Sequence, residues 1–310
     1  MIEARQLTKT YGRTRAVTDL SFAVSPGRVT GFLGPNGAGK STTMRLIMGL
    51  DRPTDGQVTI GGQALRDYPR PLRVVGALLD PGAMHSSRSA YHHLLALGLT
   101  NAIPRQRVEE VLAMVGLTDV ARRRVRTYSL GMRQRAGIAA ALLGDPEVIL
   151  LDEPVNGLDL DGIRWMRGLL RRLAGEGRTV FVSSHLMSEM ELIADHLVVL
   201  GKGRLLADVP IEVMHGGSGP RVVVHSPHAA ALREVLARDQ AAVTMTGANE
   251  LSVVGVPGFQ IAKVALDHGF LVEELRTAET SLEDAYLSLT QGDVEYPVGG
   301  TEPRQREGTQ

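Results

Sequence analysis

The sequence contains no cysteine, which excludes disulfide staples and thiolate metal centres and fits a reducing compartment. It also lacks net charge: 34 basic residues balance 34 acidic ones, so no global field draws the chain to nucleic acid or to an anionic membrane. No apolar run reaches the ~18 residues that a membrane-spanning helix needs. The start, Met1-Ile-Glu-Ala-Arg5, has none of the charged-then-apolar pattern of a secretory signal. No internal repeat and no sustained heptad is evident. These absences leave the expectation of a soluble, cytosolic protein. Its 310 residues suffice for roughly two domains and a sizeable core. The basic residues are nearly all arginine, a compositional bias that carries no mechanism.

What is present falls into three stretches. Up to residue ~60 the pattern is of short strands, with turns at Ser25-Pro26-Gly27 and Pro53-Thr54-Asp55-Gly56. From Ala90 to Leu143 the apolar spacing becomes helical, as in Val108-Glu-Glu-Val-Leu-Ala-Met-Val115. Val148-Ile-Leu-Leu151 then reads as a buried parallel strand, followed by a helix over Gly162 to Ala174 and a strand over Thr179 to Ser184. That rhythm predicts an α/β sheet with a parallel core. At Gly216-Gly-Ser-Gly-Pro220 a structure-breaking stretch marks the expected boundary. It separates residues 1–215 from a small α+β module over 216–290. Strands are expected there at Val222–His225, Leu251–Val254 and Leu271–Glu274, and helices at Ala229–Ala237, Gln260–His268 and Ser281–Leu289. Residues 291–310, with little to bury, read as a disordered tail.

The most specific string is Gly34-Pro35-Asn36-Gly37-Ala38-Gly39-Lys40-Ser41, a complete G-x-x-x-x-G-K-[ST] loop. Arg28 to Leu33 before it alternates like a strand, and Thr42 to Met48 after it has helical spacing. Glycines let backbone N–H groups curl around phosphates, Lys40 reaches the outer two, and the Ser41 hydroxyl ligates magnesium. The helix that follows aims its positive end at the anion. The chain therefore binds ATP or GTP. Val148-Ile-Leu-Leu-Asp152-Glu153 adds a hydrophobic strand ending in two carboxylates. Asp152 suits a magnesium role and Glu153 suits polarising an attacking water. Unpaired, two such groups at a buried strand end are expensive.

About twenty residues upstream, Tyr128-Ser129-Leu130-Gly131-Met132-Arg133-Gln134-Arg135 opens a helix. It resembles the signature motif of ABC-type ATPases, usually Leu-Ser-Gly-Gly-Gln, with the serine and second glycine kept as Ser129 and Gly131. Leu130 and Met132 replace the first glycine and the glutamine, a variant similar to that of drug- and antibiotic-exporter ATPases. Read by itself, Ser129 is equally well a helix N-cap. The resemblance covers residues 1 to ~215 through several motifs in order. It implies that Asn156-Gly-Leu-Asp159 is a D-loop, that His185 is the switch histidine sensing the γ-phosphate, and that Tyr11 stacks on adenine. Thr42 completes the phosphate cradle. Where the family has a Q-loop glutamine, this chain has Asp80, a shorter and charged candidate magnesium ligand. His85, His92 and His93 have no carboxylate cluster beside them and are not read as a metal site.

The resemblance implies a P-loop NTPase cassette with antiparallel strands and a helical subdomain beside the parallel core. As function it implies the ATP-hydrolysing subunit of an exporter, using ATP and Mg²⁺ on the cytoplasmic side of the membrane. Its partners would be a separately encoded transmembrane permease and a second copy of itself, with no nucleic acid. The weaker likeness of Thr280 to Leu289 extends to the appendage of drug-exporter ATPases. Rival readings are a non-transport ABC ATPase on ribosomes or DNA, a P-loop GTPase or kinase, and a drug-sequestering module over residues 221–290.

Overall fold

The computed structural model describes residues 1–216, 221–238 and 242–278, with Leu282 and Tyr286. Strands β1 (Ile2–Tyr11) and β2 (Thr14–Val24) form a long antiparallel hairpin, followed by β3 (Val29–Leu33), the glycine-rich loop, helix α1 (Lys40–Ile47) and β4 (Asp55–Ile60). β4 returns to the free edge of β1, giving a three-stranded sheet in the order β2-β1-β4. The short helix α2 (Pro71–Val74) leads into β5 (Val75–Leu78), after which α3 (Ala90–Thr100), α4 (Arg105–Met114) and α5 (Leu130–Leu142) make the expected helical stretch. Then come β6 (Val148–Leu151), α6 (Leu160–Gly175), β7 (Thr179–Ser184), α7 (Met187–Glu191), β8 (His196–Gly201), β9 (Arg204–Pro210) and α8 (Ile211–Gly216).

Six of these strands form the central sheet, in the order β5-β6-β7-β3-β8-β9. All neighbours are parallel except β9, which runs antiparallel to β8. The sheet divides two apolar cores, and successive residues of a strand enter opposite ones because side chains alternate across it. Leu33, Leu151, Val182 and Val199 face the helices, whereas Phe32, Leu150, Phe181 and Val198 face α1 and the three-stranded sheet. This corrects the expectation of an alternating strand before the loop: all five residues of β3 are buried, because both faces of a central parallel strand are covered. On the second face Phe22, Phe32 and Phe181 stack with centroids 4.8 to 5.8 Å apart. The N-terminal strands are longer than predicted, 10 and 11 residues in β1 and β2. Register shifts along β1 and β2 interrupt the regular alternation that would have disclosed their length.

A third core lies in the C-terminal segment. Strand β10 (Arg221–His225), α9 (Ala229–Arg238), β11 (Ala242–Met245), β12 (Glu250–Val254), α10 (Gly258–Asp267) and β13 (Glu274–Ala278) follow in order. They form an antiparallel sheet, β11-β12-β10-β13, that closes over Val222, Val224, Leu232, Leu236, Leu251 and Ile261. Two expectations need correction. The strand placed at Leu271–Glu274 starts at Glu274 instead, since Leu271 is exposed and pairing with β10 begins opposite His225. The sequence reading also missed β11, whose residues are only exposed or half-buried. Of the expected boundary at 216–220 only Gly216 is described, as the last residue of α8; residues 217–220, the expected tail at 291–310 and most of the expected helix 281–289 lie outside the described residues. Of that stretch Leu282 and Tyr286 are helical and buried in the helix-side core of the central sheet. The Leu282 N–H donates to Glu191 Oε1 at 2.5 Å.

Phe181 has no exposed surface and holds the Phe22–Phe32 stack against the sheet. Truncation there leaves a cavity that neighbouring strands cannot close. Phe181→Ala should cost about 3–5 kcal/mol, read as a lowered midpoint in denaturant unfolding followed by circular dichroism.

Candidate functional site

The phosphate loop lies between the end of β3 and the start of α1, where a strand buried on both faces meets a helix N-terminus. Gly39 is the N-cap of α1 at φ 99°, and a Cβ there would sit 2.5 Å from the Ala16 carbonyl oxygen, so glycine is required. Lys40 is buried, and its Nζ donates to the Gly34 carbonyl at 2.6 Å and the Pro35 carbonyl at 3.3 Å. Burial lowers its pKa, opposed by the negative charges of Glu153 and Asp152. Pro35, Asn36, Gly37, Gly39, Lys40, Ser41 and Thr42 line a cavity of about 240 Å³ with Ala16 and Glu153. Ala38 is buried beneath it, its N–H bonded to the Pro35 carbonyl.

The two carboxylates at the end of β6 have different partners. Ser183, fully buried on neighbouring β7, donates its hydroxyl to Asp152 Oδ1 and accepts the Glu153 N–H at 2.9 Å. Glu153 takes up a left-handed backbone, φ 49°, which turns its side chain to the loop. One oxygen lies 2.7 Å from His185 Nδ1 and the other 4.0 Å from Lys40 Nζ. The predicted set Lys40, Asp152, Glu153 and His185 is therefore brought together, linked through Glu153 and Ser183. Ser41, which lines the cavity, and Asp152 carry hard oxygen donors, the chemistry magnesium takes. Asp80 is exposed, outside the lining of this cavity, with Oδ1 accepting the Gly82 N–H at 2.7 Å in a tight turn.

Ser129, Gly131 and Asp159 come together elsewhere. They line a separate cavity of about 640 Å³, which shares no residue with the phosphate-loop cavity. Ser129 caps α5 by accepting the Met132 N–H, and Asp159 caps α6 by accepting the Gly162 N–H. The cap reading of Ser129 is thus borne out, and a cap serine at a helix N-terminus is also an anion-facing group. Tyr11 is 45% exposed, which rules out a core role. Its hydroxyl donates to Asp51 at 2.7 Å and Lys9 Nζ sits 4.7 Å over the ring. Arg45 and Tyr11 hold the Asp51 carboxyl down to about 2, and the bond to Asp51 raises the Tyr11 hydroxyl. His85 and His92 bond to Ser87 and Ser89, and no group of three metal-ligating side chains occurs among the described residues. Another cavity, about 710 Å³ between α1 and β4, is lined by neither the phosphate loop nor Asp152 and Glu153.

Residues 17–156 match the family model described as "ABC transporter". A Bacillus subtilis protein named an uncharacterized ABC transporter ATP-binding protein, YhcH, is 36% identical over 94% of this chain and 96% of its own length. The chain belongs to the ATP-binding subunits of ABC transporters. This ATPase is also 41% identical to the bacitracin transport ATP-binding protein BcrA of Bacillus licheniformis, over 68% of this chain and 70% of that one. Among solved structures it is similar to the dimeric bacterial ABC transporter cassette MJ0796, with TM-score 0.63 and 26% identity, covering 68% of this chain and 99% of the cassette. The same cassette has been captured bound to ADP and Pi after hydrolysis. Residues 220–283 match a model described only as a domain of unknown function.

The sequence reading of this ATPase missed three groups. Ser183 could have been noticed as a hydroxyl on the strand beside the carboxylates. Gln134 was quoted in the signature but given no role; it is buried and donates to the Glu153 carbonyl at 3.2 Å. Glu189 on α7 gave no sequence signal. Its Oε2 is buried without a hydrogen-bond partner. Burial raises its pKa, as does the nearby Glu153, while Arg167 and His185 oppose the shift. The folded chain keeps that proton to higher pH than the unfolded chain, so ionised Glu189 costs stability as pH rises through the raised value. Glu189→Gln should therefore leave the melting temperature unchanged near pH 4 and raise it at pH 8. The gain should be no more than about 2 °C, because the group is partly solvated. Calorimetry across that range is the check.

Proposed function

We propose that this ATPase works as a homodimer on a separately encoded membrane permease and drives export of drug-like or antibiotic small molecules. The observation that carries the dimer is the separation of the two nucleotide-facing surfaces. The phosphate loop with Glu153 and the cap of α5 with Ser129 and Gly131 open on different cavities of one chain. A head-to-tail pair would bring the loop of one copy against Ser129–Gly131 of the other, with an ATP between them. The dimeric structure of MJ0796 supports that assembly. The permease and its cargo are supported by the bacitracin transport relatives and by a lantibiotic transport ATP-binding protein, SrtF of Streptococcus pyogenes, 34% identical over 67% of this chain. Among the described residues no helix is long and apolar enough to cross a membrane. By the likeness to these transport subunits, the chain would sit peripherally on the cytoplasmic side, attached through the permease.

The chemistry follows from the residues. Backbone N–H groups of the loop and the N-terminus of α1 hold the phosphates, and Lys40 places its charge on the outer pair. Ser41 and Asp152 would hold a magnesium ion, which neutralises phosphate charge when bound. Glu153 orients the attacking water and accepts its proton as the bond to the γ-phosphorus forms and ADP leaves. His185, 2.7 Å from Glu153, fixes that carboxylate. Tyr11, fixed through its hydroxyl with much of its ring exposed, offers a face for adenine. After hydrolysis the γ-phosphate no longer bridges the two copies, and the pair opens.

The deciding variant is Glu153→Gln, which keeps shape and removes the base. Hydrolysis should fall by roughly 10²–10⁴-fold, and with ATP and magnesium the protein should elute at twice its monomer mass. Affinity recovery from gently solubilised membranes should bring down a polytopic membrane protein. Recovery of ribosomal or DNA-processing proteins would reassign the role to a non-transport ATPase. Separately, Tyr11→Ala should raise KM for ATP by roughly two- to tenfold with little change in kcat.

A further inference from the structure

The catalytic glutamate is held by its peptide as well as by its carboxylate. Glu153 sits at φ 49°, a region that costs a non-glycine residue free energy and persists only where neighbours fix it. Ser183 on β7 takes its N–H at 2.9 Å, and Gln134 on α5 gives a hydrogen bond to its carbonyl at 3.2 Å. Gln134 is 1% exposed, and its Oε1 is buried with no hydrogen-bond partner. A side chain kept there for stability alone would be apolar, since a half-satisfied buried amide is a net cost. Helix α5 also presses on the loop that follows Glu153. A Cβ on Gly131 would lie 3.0 Å from the Gly157 carbonyl oxygen, and one on Gly157 would lie 2.3 Å from Leu130 Cδ2. The helix and the 153–157 segment therefore have little room to slide past each other.

We propose that Gln134 is a positioning residue that ties the Glu153 peptide to α5, so that engagement of the α5 N-terminus by nucleotide sets the carboxylate for hydrolysis in the same chain's own loop. The transmission half of this rests on the head-to-tail dimer proposed above; the clamp on Glu153 does not. Gln134 lies one turn into α5, beyond Ser129 and Gly131 and between them and Glu153. A small tilt of α5 is carried to the Glu153 carbonyl by one hydrogen bond. With the preceding peptide pinned through its N–H to Ser183, a pull on the Glu153 carbonyl turns the residue about its N–Cα bond, and the side chain, carried on the same Cα, swings relative to His185 and Lys40. An ATP held at one interface thereby prepares the glutamate of the other.

Gln134→Met keeps volume and helix propensity and removes the side-chain amide, the donor together with its unpartnered Oε1. Steady-state ATPase assays should show kcat reduced about tenfold, with KM, binding of a non-hydrolysable ATP analogue and melting temperature unchanged. A merely structural role would lower melting temperature and binding together. The Hill coefficient for ATP should exceed 1 in the native chain and fall toward 1 in the variant. Ser183→Ala should reproduce the kcat loss and Ser183→Thr should restore it; combined with Gln134→Met, the losses should be less than additive. Because Ser183 also bonds Asp152, its variants report on the N–H side of the clamp only; should Gln134→Met fold poorly, Gln134→Leu is the second variant. An unchanged kcat in the folded Gln134 variant overturns the clamp. A reduced kcat with an unchanged Hill coefficient overturns the transmission. Failure of Glu153→Gln to dimerise would remove the assembly, while a kcat loss in Gln134→Met would still establish the clamp.

Discussion

Two adjacent carboxylates emerge from the end of a strand buried on both faces, and the rest of the site is arranged to make that tolerable. Side by side and half-buried, Asp152 and Glu153 would repel each other with only partial screening by water. The fold separates them. Asp152 continues the strand and is met by the Ser183 hydroxyl, whereas Glu153 breaks into a left-handed turn toward His185 and Lys40. Lys40 is in turn buried, and the same two carboxylates are what favour its charged form. The three charges are mutually dependent, and none could be removed without leaving another poorly compensated.

That dependence explains why the site lies where three strand ends meet. β6, β7 and β3 are consecutive neighbours in the sheet, and they deliver Asp152 and Glu153, Ser183 and His185, and the phosphate loop. Parallel neighbours bring equivalent chain ends to one edge, and ligands of open α/β sheets bind beyond the carboxyl ends of the strands. The two apolar cores fix those strands from both sides, so the relative heights of the three ends are set by packing among residues such as Phe32, Leu150, Phe181 and Val182. The positions of the charges are inherited from the hydrophobic layers beneath them.

This division of labour also sets what could be read from the sequence. The phosphate loop and the β6 carboxylates were legible because chemistry demands particular residues at fixed spacing, and the helical stretch was legible from its period. The conformation of Glu153, the Ser183 bridge and the Gln134 contact were not. They join residues 30 and 19 positions apart, and pairing at that distance is decided by strand order, which no local pattern reports. The missed β11 and the shifted β13 have a different origin. In the small C-terminal sheet the edge strands bury little, so the apolar alternation that reveals a strand is weak. The Asp80 position was noticed as a departure, and the structure gives one of its oxygens a turn-forming bond, leaving less of that carboxylate for a cation.

The C-terminal segment shows the same economy of contact. Its sheet has its own core, yet Leu282 and Tyr286 are buried with the helix-side core of the central sheet, and the Leu282 N–H is received by Glu191 at the end of α7. That helix begins two residues after His185 and carries Glu189. A segment some hundred residues later in the chain therefore braces the element that follows His185. Among the described residues this bracing combines the buried side chains of Leu282 and Tyr286 with the hydrogen bond from the Leu282 N–H to Glu191. Support at the far end of α7 is matched at its near end by His185, whose exposed side chain bonds Glu153, so the contact at Leu282 and the carboxylate at the strand end bear on one short helix from opposite ends.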